Sequence, residues 1–297
     1  MTRIGVRTLA LALALFVLLP DVEGQKKSRV KPLAPKVESV NQLRTLAHER
    51  MAQRNHRSAV ALLRRTLVQA PNSTDLLFDY GRASLQAGLP AETLRALTAA
   101  SRIEPENPDY LHVLGLAQLW VADLEAAEVS LGRAAQLAPQ SSPVLLAYAV
   151  ALHGRKEYDQ AATHLEHVLA LDPQNGEALY LLGDIAQIRG DLRTAEELAQ
   201  RVLASEPRHP GANLVAGLAL MKRGDYAAAQ KALETAATGD PGYGRTQYHL
   251  SQVYTRLGEE RRAAAARAAY EESVRKSSEQ QQALRRLLHP SAAKDKQ

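Results

Sequence analysis

Prolines stand at Pro71, Pro105, Pro139, Pro173, Pro207 and Pro241, each 34 residues beyond the last. Proline lacks an amide hydrogen and clashes with a preceding helical turn, so a proline recurring in fixed register marks the same break made again and again. If each proline closes a unit, the units run 40–73, 74–107, 108–141, 142–175, 176–209 and 210–243, and a seventh, 244–277, begins at Gly244. Other positions keep that register. Position eight of the units holds Ala47, Gly81, Gly115, Ala149, Gly183, Gly217 and Ser251, and position twenty holds Ala59, Thr93, Ala127, Ala161, Ala195, Ala229 and Ala263. Small residues at two recurrent positions predict close approach of two helices within each unit.

Bulky residues follow the same count. Position four gives Leu43, Leu77, Leu111, Leu145 and Leu179, position seven gives Leu46, Tyr80, Leu114, Tyr148 and Leu182, and position twenty-four gives Leu63, Leu97, Leu131, Leu165 and Leu233. Positions four, seven, eight and eleven share one helical face, and twenty, twenty-four and twenty-seven share another, so each unit reads as a helical hairpin. Gly88, Gly190, Gly224 and Gly258 fall between the two helices, where the backbone can adopt a positive φ without a Cβ penalty. With Ala and Leu abundant and aromatics at 4%, composition favours helices over strands, and the expected class is all-α.

The 34-residue period, the small residues at positions eight and twenty and the terminal proline resemble the tetratricopeptide repeat family over residues 40–277. The resemblance implies a right-handed superhelical solenoid of stacked antiparallel helix pairs, about seven repeats ending in a C-terminal capping helix. Departures are local: the fourth unit places Gly154 two residues early, the sixth has Asn213 in the leucine position, and the seventh has Gln247, Arg267 and Tyr270. A terminal repeat lacks a neighbour on one side, so the polar seventh unit and the charged stretch toward Leu288 read as a solvating cap ended by His289-Pro290.

The ends differ from the repeats. Arg3 and Arg7 precede an apolar run from Leu9 to Leu19, and Val22-Glu23-Gly24 offers a cleavage site before Gln25, the pattern of a secretory leader. An uncleaved anchor is the alternative, but the run is well short of the roughly 20 residues that span a bilayer. The leader places the protein in the periplasm or outside the cell. With no cysteine there is neither a disulfide framework nor a site for lipid attachment to Cys.

Residues 25–39 form a basic, proline-containing linker of net charge +4, and the chain from Arg275 onward is also +4. Taking both from the total of +5, with the leader neutral, leaves the repeats at −3. Residues 278–297 read as the end of the capping helix and a disordered tail. Basic ends of this kind are expected to be solvated, with weak contact to an anionic membrane surface as the functional alternative. A slightly acidic body does not suit nucleic acid.

No catalytic constellation stands out. The chain has no thiol, no glycine-rich phosphate loop and no His-Glu-x-x-His helix, and no cofactor is implied. His164 and His167 share a helix face at i and i+3, but two histidines alone rarely hold a metal, and they read as surface residues.

In such a superhelix the first helices line the concave side, and positions two, five, nine, twelve and thirteen face a ligand. The first two units offer Arg44, His48, Phe78 and Arg82. The centre offers His112, Leu116, Leu119, Trp120, Val150 and His153, followed by Tyr180, Asp184 and Ile188. The far end carries Leu218 and Met221, then Lys222, Arg245, Tyr248, Gln252 and Arg256, a basic and aromatic exit. Trp120, the only tryptophan, together with Phe78 and Tyr180 forms the expected set of anchors, because aromatic side chains dominate desolvated interfaces. Some members of the family grip a partner's C-terminal carboxylate with a Lys/Asn/Asn/Lys/Arg set. Here those positions hold Arg44, His48, Asp79, Asp109 and Val113, and the two acids oppose a carboxylate.

The expected function is a non-catalytic scaffold or adaptor in the bacterial cell envelope that holds a protein or peptide segment in the groove. The alternative is an accessory or regulatory subunit of an envelope enzyme acting on glycan, peptidoglycan or polysaccharide.

Overall fold

The structure, a computed structural model, describes residues 39–239 and 244–288. The leader, the linker as far as Glu38, Pro241 and the chain from His289 onward lie outside them. The described residues form fourteen α-helices and no strand. The first helices of the units are α1 (Val40–Ala52), α3 (Thr74–Gln86), α5 (Pro108–Trp120), α7 (Ser142–Gly154), α9 (Gly176–Arg189), α11 (Pro210–Lys222) and α13 (Gly244–Arg256). The second helices are α2 (His56–Gln69), α4 (Pro90–Ile103), α6 (Leu124–Leu137), α8 (Tyr158–Leu171), α10 (Leu192–Ser205), α12 (Tyr226–Gly239) and α14 (Glu260–Leu288). Pro71, Pro105, Pro139, Pro173 and Pro207 each sit in the turn between one hairpin and the next, as their spacing predicts.

Every helix packs on its neighbours in sequence. Beyond that, α3 touches α5, α5 touches α7, α9 touches α11 and α11 touches α13, so the first helices form the inner layer of an all-α solenoid. Starts are set by polar caps: Ser39 and Gln42 make a reciprocal capping box on α1, and the side chains of Ser73, Asn107 and Asn175 cap α3, α5 and α9.

The turn inside the hairpin is the same in all seven units. The fifteenth residue has φ between 56° and 84° in each, whether it is Gly88, Gly190, Gly224 or Gly258, or Arg54, Ala122 or Lys156. The next residue donates its amide to the carbonyl five residues back, for example Asp123 to Gln118 at 2.9 Å and Glu157 to Leu152 at 2.9 Å. This is the closing bond of a left-handed helix terminus. In the fourth unit Lys156 makes the turn, and Gly154 is simply the last residue of α7, where a side chain would press on Leu124. A side chain in left-handed backbone costs about 1–2 kcal/mol, partly offset because glycine loses more entropy on folding. Ala122→Gly is therefore expected to stabilise the protein by about 0.5–1 kcal/mol, read as a higher urea midpoint at unchanged slope. An unchanged or lowered midpoint would show that the turn carries no strain.

The core follows the register. All seven residues of position twenty are fully shielded from solvent, as are Leu63, Leu97, Leu131, Leu165 and Leu233 of position twenty-four. Position four is less uniform: Leu43, Leu77, Leu145 and Leu179 are buried, whereas Leu111 is only half-buried. A Cβ added at Gly81, Gly115 or Gly217 would lie within 3 Å of the leucine at position twenty-four of the same unit. At Gly183, where Ala199 replaces that leucine, the nearest atoms are at an ordinary 3.5 Å. Thr93, the one hydroxyl among the position-twenty alanines, donates to the carbonyl of Gly81 at 3.1 Å, so its burial leaves no unpaired polar group.

An arginine at position fourteen joins successive units at their edges. Arg155 meets Glu125 and Glu128, Arg189 meets Asp159, and Arg223 meets Glu196 at 2.7 Å. Several of these side chains are well exposed, so each pair contributes about 1 kcal/mol at most. At the end of the stack, α14 runs unbroken for 29 residues. The second helix of the seventh unit and the expected cap are thus one element, because neither Pro nor Gly interrupts residues 260–288.

Candidate functional site

The inner layer places the candidate residues unequally. At the first units, Arg44 Nε lies 2.6 Å and His48 Nε2 2.9 Å from Asp79 Oδ2, and Asp79 is only 6% exposed. The Asp79 carboxylate is therefore engaged by two cation-capable groups on α1, and the reason these positions do not form a carboxylate clamp shifts accordingly. It is the occupation of Arg44 and His48, more than repulsion from Asp79, that removes them as free donors. Phe78 is half-buried, its ring 5.0 Å from that of Tyr110, with the Arg82 guanidinium over the Phe78 ring, 5.5 Å from its centroid. Phe78 thus serves the inner surface and the core together.

At the centre, Leu116 and Leu119 are half-buried against the cluster of Ala127, Leu131, Ala147 and Ala151, and Val150 packs on the next cluster. Burial pushes the half-buried His112 imidazole below its ordinary pKa, only partly opposed by Asp109. Trp120, the last residue of α5, is 59% exposed, and Ile188, one residue before the end of α9, is 42% exposed.

Asp184 does not face solvent: its exposure is 0%. Its Oδ2 lies 3.0 Å from His153 Nε2 on α7 and its Oδ1 2.8 Å from Arg245 Nη1 on α13. Burial pushes this carboxyl up, but the hydrogen bond from His153 and the charge and hydrogen bond of Arg245 outweigh it and hold the carboxyl below its ordinary value. An ion pair thus links the fifth unit to the seventh past the sixth. Leu218 is buried as well, at the heart of the cluster joining α11 to α14. Tyr180 is half-buried, its ring 5.5 Å from His209 and lying over Gly211 at the start of α11.

Beyond this point the inner layer opens into a cavity of about 640 Å³. Leu218, Met221, Tyr248, Gln252 and Arg256 line it, and so do Gln187, Tyr226, His249 and Arg267. Three of the last four escape the position rule: Tyr226 and Arg267 come from second helices, and His249 stands at position six. Only Gln187, sharing position twelve with Leu119, His153 and Met221, carried a signal in the sequence.

Residues 122–183, 152–218, 186–235 and 220–288 match one family model described as tetratricopeptide repeat, and residues 44–108 match a second with the same description. The chain belongs to the tetratricopeptide repeat family. Among solved structures, a tetratricopeptide repeat protein from Parabacteroides merdae is similar, with a TM-score of 0.66 at 15% identity over 82% of this chain and 98% of that one. PilW, a type IV pilus biogenesis factor, has a TM-score of 0.60 at 17% identity over 71% of this chain and 98% of its own. PilF of Pseudomonas aeruginosa has 0.54 at 20% identity, over 68% and 97%. At these identities the likeness is one of fold. Comparison with curated proteins gives no match.

On this tetratricopeptide solenoid, His164 packs its ring 4.8 Å from Tyr148 on the preceding first helix. Burial and then His167 hold its imidazole below the ordinary value. Among the described residues no three of His, Asp and Glu gather as a metal site would require. No helix among them is long and apolar enough to cross a membrane.

Proposed function

We propose that this tetratricopeptide protein is a non-catalytic adaptor of the bacterial cell envelope that holds a segment of a partner protein along its inner layer. The family's fold is one of protein–protein interaction, and the observation that carries the reading to this chain is Trp120. A tryptophan 59% exposed, on the helix that carries half-buried Leu116 and Leu119, presents a large apolar surface to solvent. Export rests on residues 1–24, whose charge and apolar run have the form of a secretory leader. The fold shared with PilW makes envelope assemblies a natural setting.

Affinity capture from bacterial envelope extracts, with the wild-type chain and Trp120→Ala side by side, tests this. A specific partner is expected with the first and at least about tenfold less of it with the second, the usual scale of losing a central aromatic. The same partner should shift or quench the emission of Trp120. Capture and fluorescence indifferent to Trp120 would remove the inner layer as the binding surface, and turnover of a substrate by the purified chain alone would overturn the scaffold reading.

A further inference from the structure

The cavity at the end of the inner layer has a charge pattern that the rest of the groove lacks. Lys222 closes α11, Arg256 closes α13 and Arg267 lies on α14, and all three line the 640 Å³ space. No Asp or Glu is among its lining residues, and among the described residues none of the three cations has an ion-pair partner. Elsewhere several arginines are spent on carboxylates: Arg44 on Asp79, Arg245 on Asp184, Arg262 on Glu234 and Glu259. The Arg256 guanidinium instead lies 5.9 Å from the centre of the Tyr226 ring, which holds it in place without neutralising it. Met221 and Tyr248 give the same space an apolar wall, and His249 contributes a buried Nδ1 with no hydrogen-bond partner.

Resting on the reading of the inner layer as a partner-binding groove, we infer that this cavity selects an acidic peptide segment, its carboxylates meeting Lys222, Arg256 and Arg267 while an apolar side chain fills the space beside Met221 and Tyr248. Charge complementarity carries this: three exposed cations face one concave, partly apolar space whose lining holds no acid. The chain's own ends do not complement it, since residues 25–39 and the stretch from Arg275 onward are each +4.

The test uses three fluorescent ten-residue peptides, alternating Glu-Leu, Gln-Leu and Lys-Leu, titrated with the purified protein in fluorescence anisotropy. The Glu-Leu peptide is expected to bind at least about tenfold more tightly than the Gln-Leu peptide, and to weaken as salt is raised. Lys222→Ala with Arg256→Ala should lose about tenfold for the Glu-Leu peptide alone, two partly exposed ion pairs being worth about that much. Arg57→Ala with Arg208→Ala, which removes the same charge elsewhere, should change nothing. Circular dichroism confirms that both pairs fold. Equal binding of the three peptides, binding of none, or equal loss from both variant pairs overturns the inference while leaving the Trp120 capture result standing. Binding of phosphatidylglycerol vesicles that vanishes in the Lys222/Arg256 variant without peptide binding overturns it in favour of a lipid surface. A dimer dissolved by the same variant overturns it in favour of a second copy.

Discussion

Replacing Arg245 with alanine is expected to destabilise the protein by about 3 kcal/mol near neutral pH, an effect that shrinks as pH falls through and below about 4. The substitution leaves the Asp184 carboxylate, fully buried in the wild type, with only His153 as a partner. Breaking a buried pair on one side costs about 3–5 kcal/mol, because the surviving charge keeps its desolvation penalty. The lower end applies since Arg245 is itself partly exposed. The sign with pH follows from the direction of the shift. The Asp184 carboxyl titrates below its ordinary value in the folded protein, so its stabilising contribution is complete above the unfolded value and is lost as pH falls through the folded one. Once the carboxyl is protonated in wild type and variant alike, the arginine has little left to hold. Urea melts followed by circular dichroism from pH 7 to pH 3 measure this. Adding Asp184→Asn to the variant should recover part of the loss. A deficit that stays constant with pH would mean that Arg245 acts by packing.

The second large effect is expected at Leu131. This side chain is fully buried, and Leu131→Ala should cost about 3 kcal/mol through lost transfer energy and the cavity left behind. What makes the position informative is the glycine it covers. A Cβ on Gly115 would lie 2.3 Å from Leu131 Cγ and 2.6 Å from Cδ2, so the leucine's branch carbon must move to admit a methyl. Gly115→Ala alone is therefore expected to cost about 1–3 kcal/mol by overpacking. In the Leu131→Ala background the same change should stabilise by about 0.5–1 kcal/mol, since alanine outranks glycine in a helix and the space is now free. The fifth unit already has this arrangement in Gly183 with Ala199, and Gly183→Ala should gain by the same mechanism without a second substitution. Additive effects in the four-variant cycle at Gly115 and Leu131 would show that the two do not compete for one volume.

These two sites differ in how far the sequence betrays them. Leu131 and Gly115 are legible because a fixed period puts every leucine of position twenty-four opposite position eight, and a period can be counted. The repeat boundaries and the fully buried alanines and threonine of position twenty follow in the same way. Arg54, Ala122 and Lys156 are not legible as left-handed turn residues, because their backbone is imposed by the hairpin around them and nothing in their side chains announces it. Asp184 and Asp79 mislead for a different reason. An acid on an inner-facing position reads as a ligand contact unless its partners are known, and those partners lie on other helices, His153 31 residues before Asp184. The cavity was half visible: its first-helix residues stood in the sequence pattern, while Tyr226 and Arg267 reach it from helices that the pattern assigns to the outside.

The identical joint closing all seven hairpins sets a rule for how this chain can change length. Insertions or excisions of whole 34-residue blocks keep every surviving junction in phase, whereas any other length rotates one helix face away from its neighbour. Block six is the exception to free exchange. Its second residue is Gly211, seated under the Tyr180 ring where a Cβ would come within 2.5 Å, and the corresponding residue of block seven is Arg245. Excising block six would bring an arginine to a seat shaped for a hydrogen atom and take it from the carboxylate it now reaches, so blocks five to seven, which share these contacts, are kept or lost together.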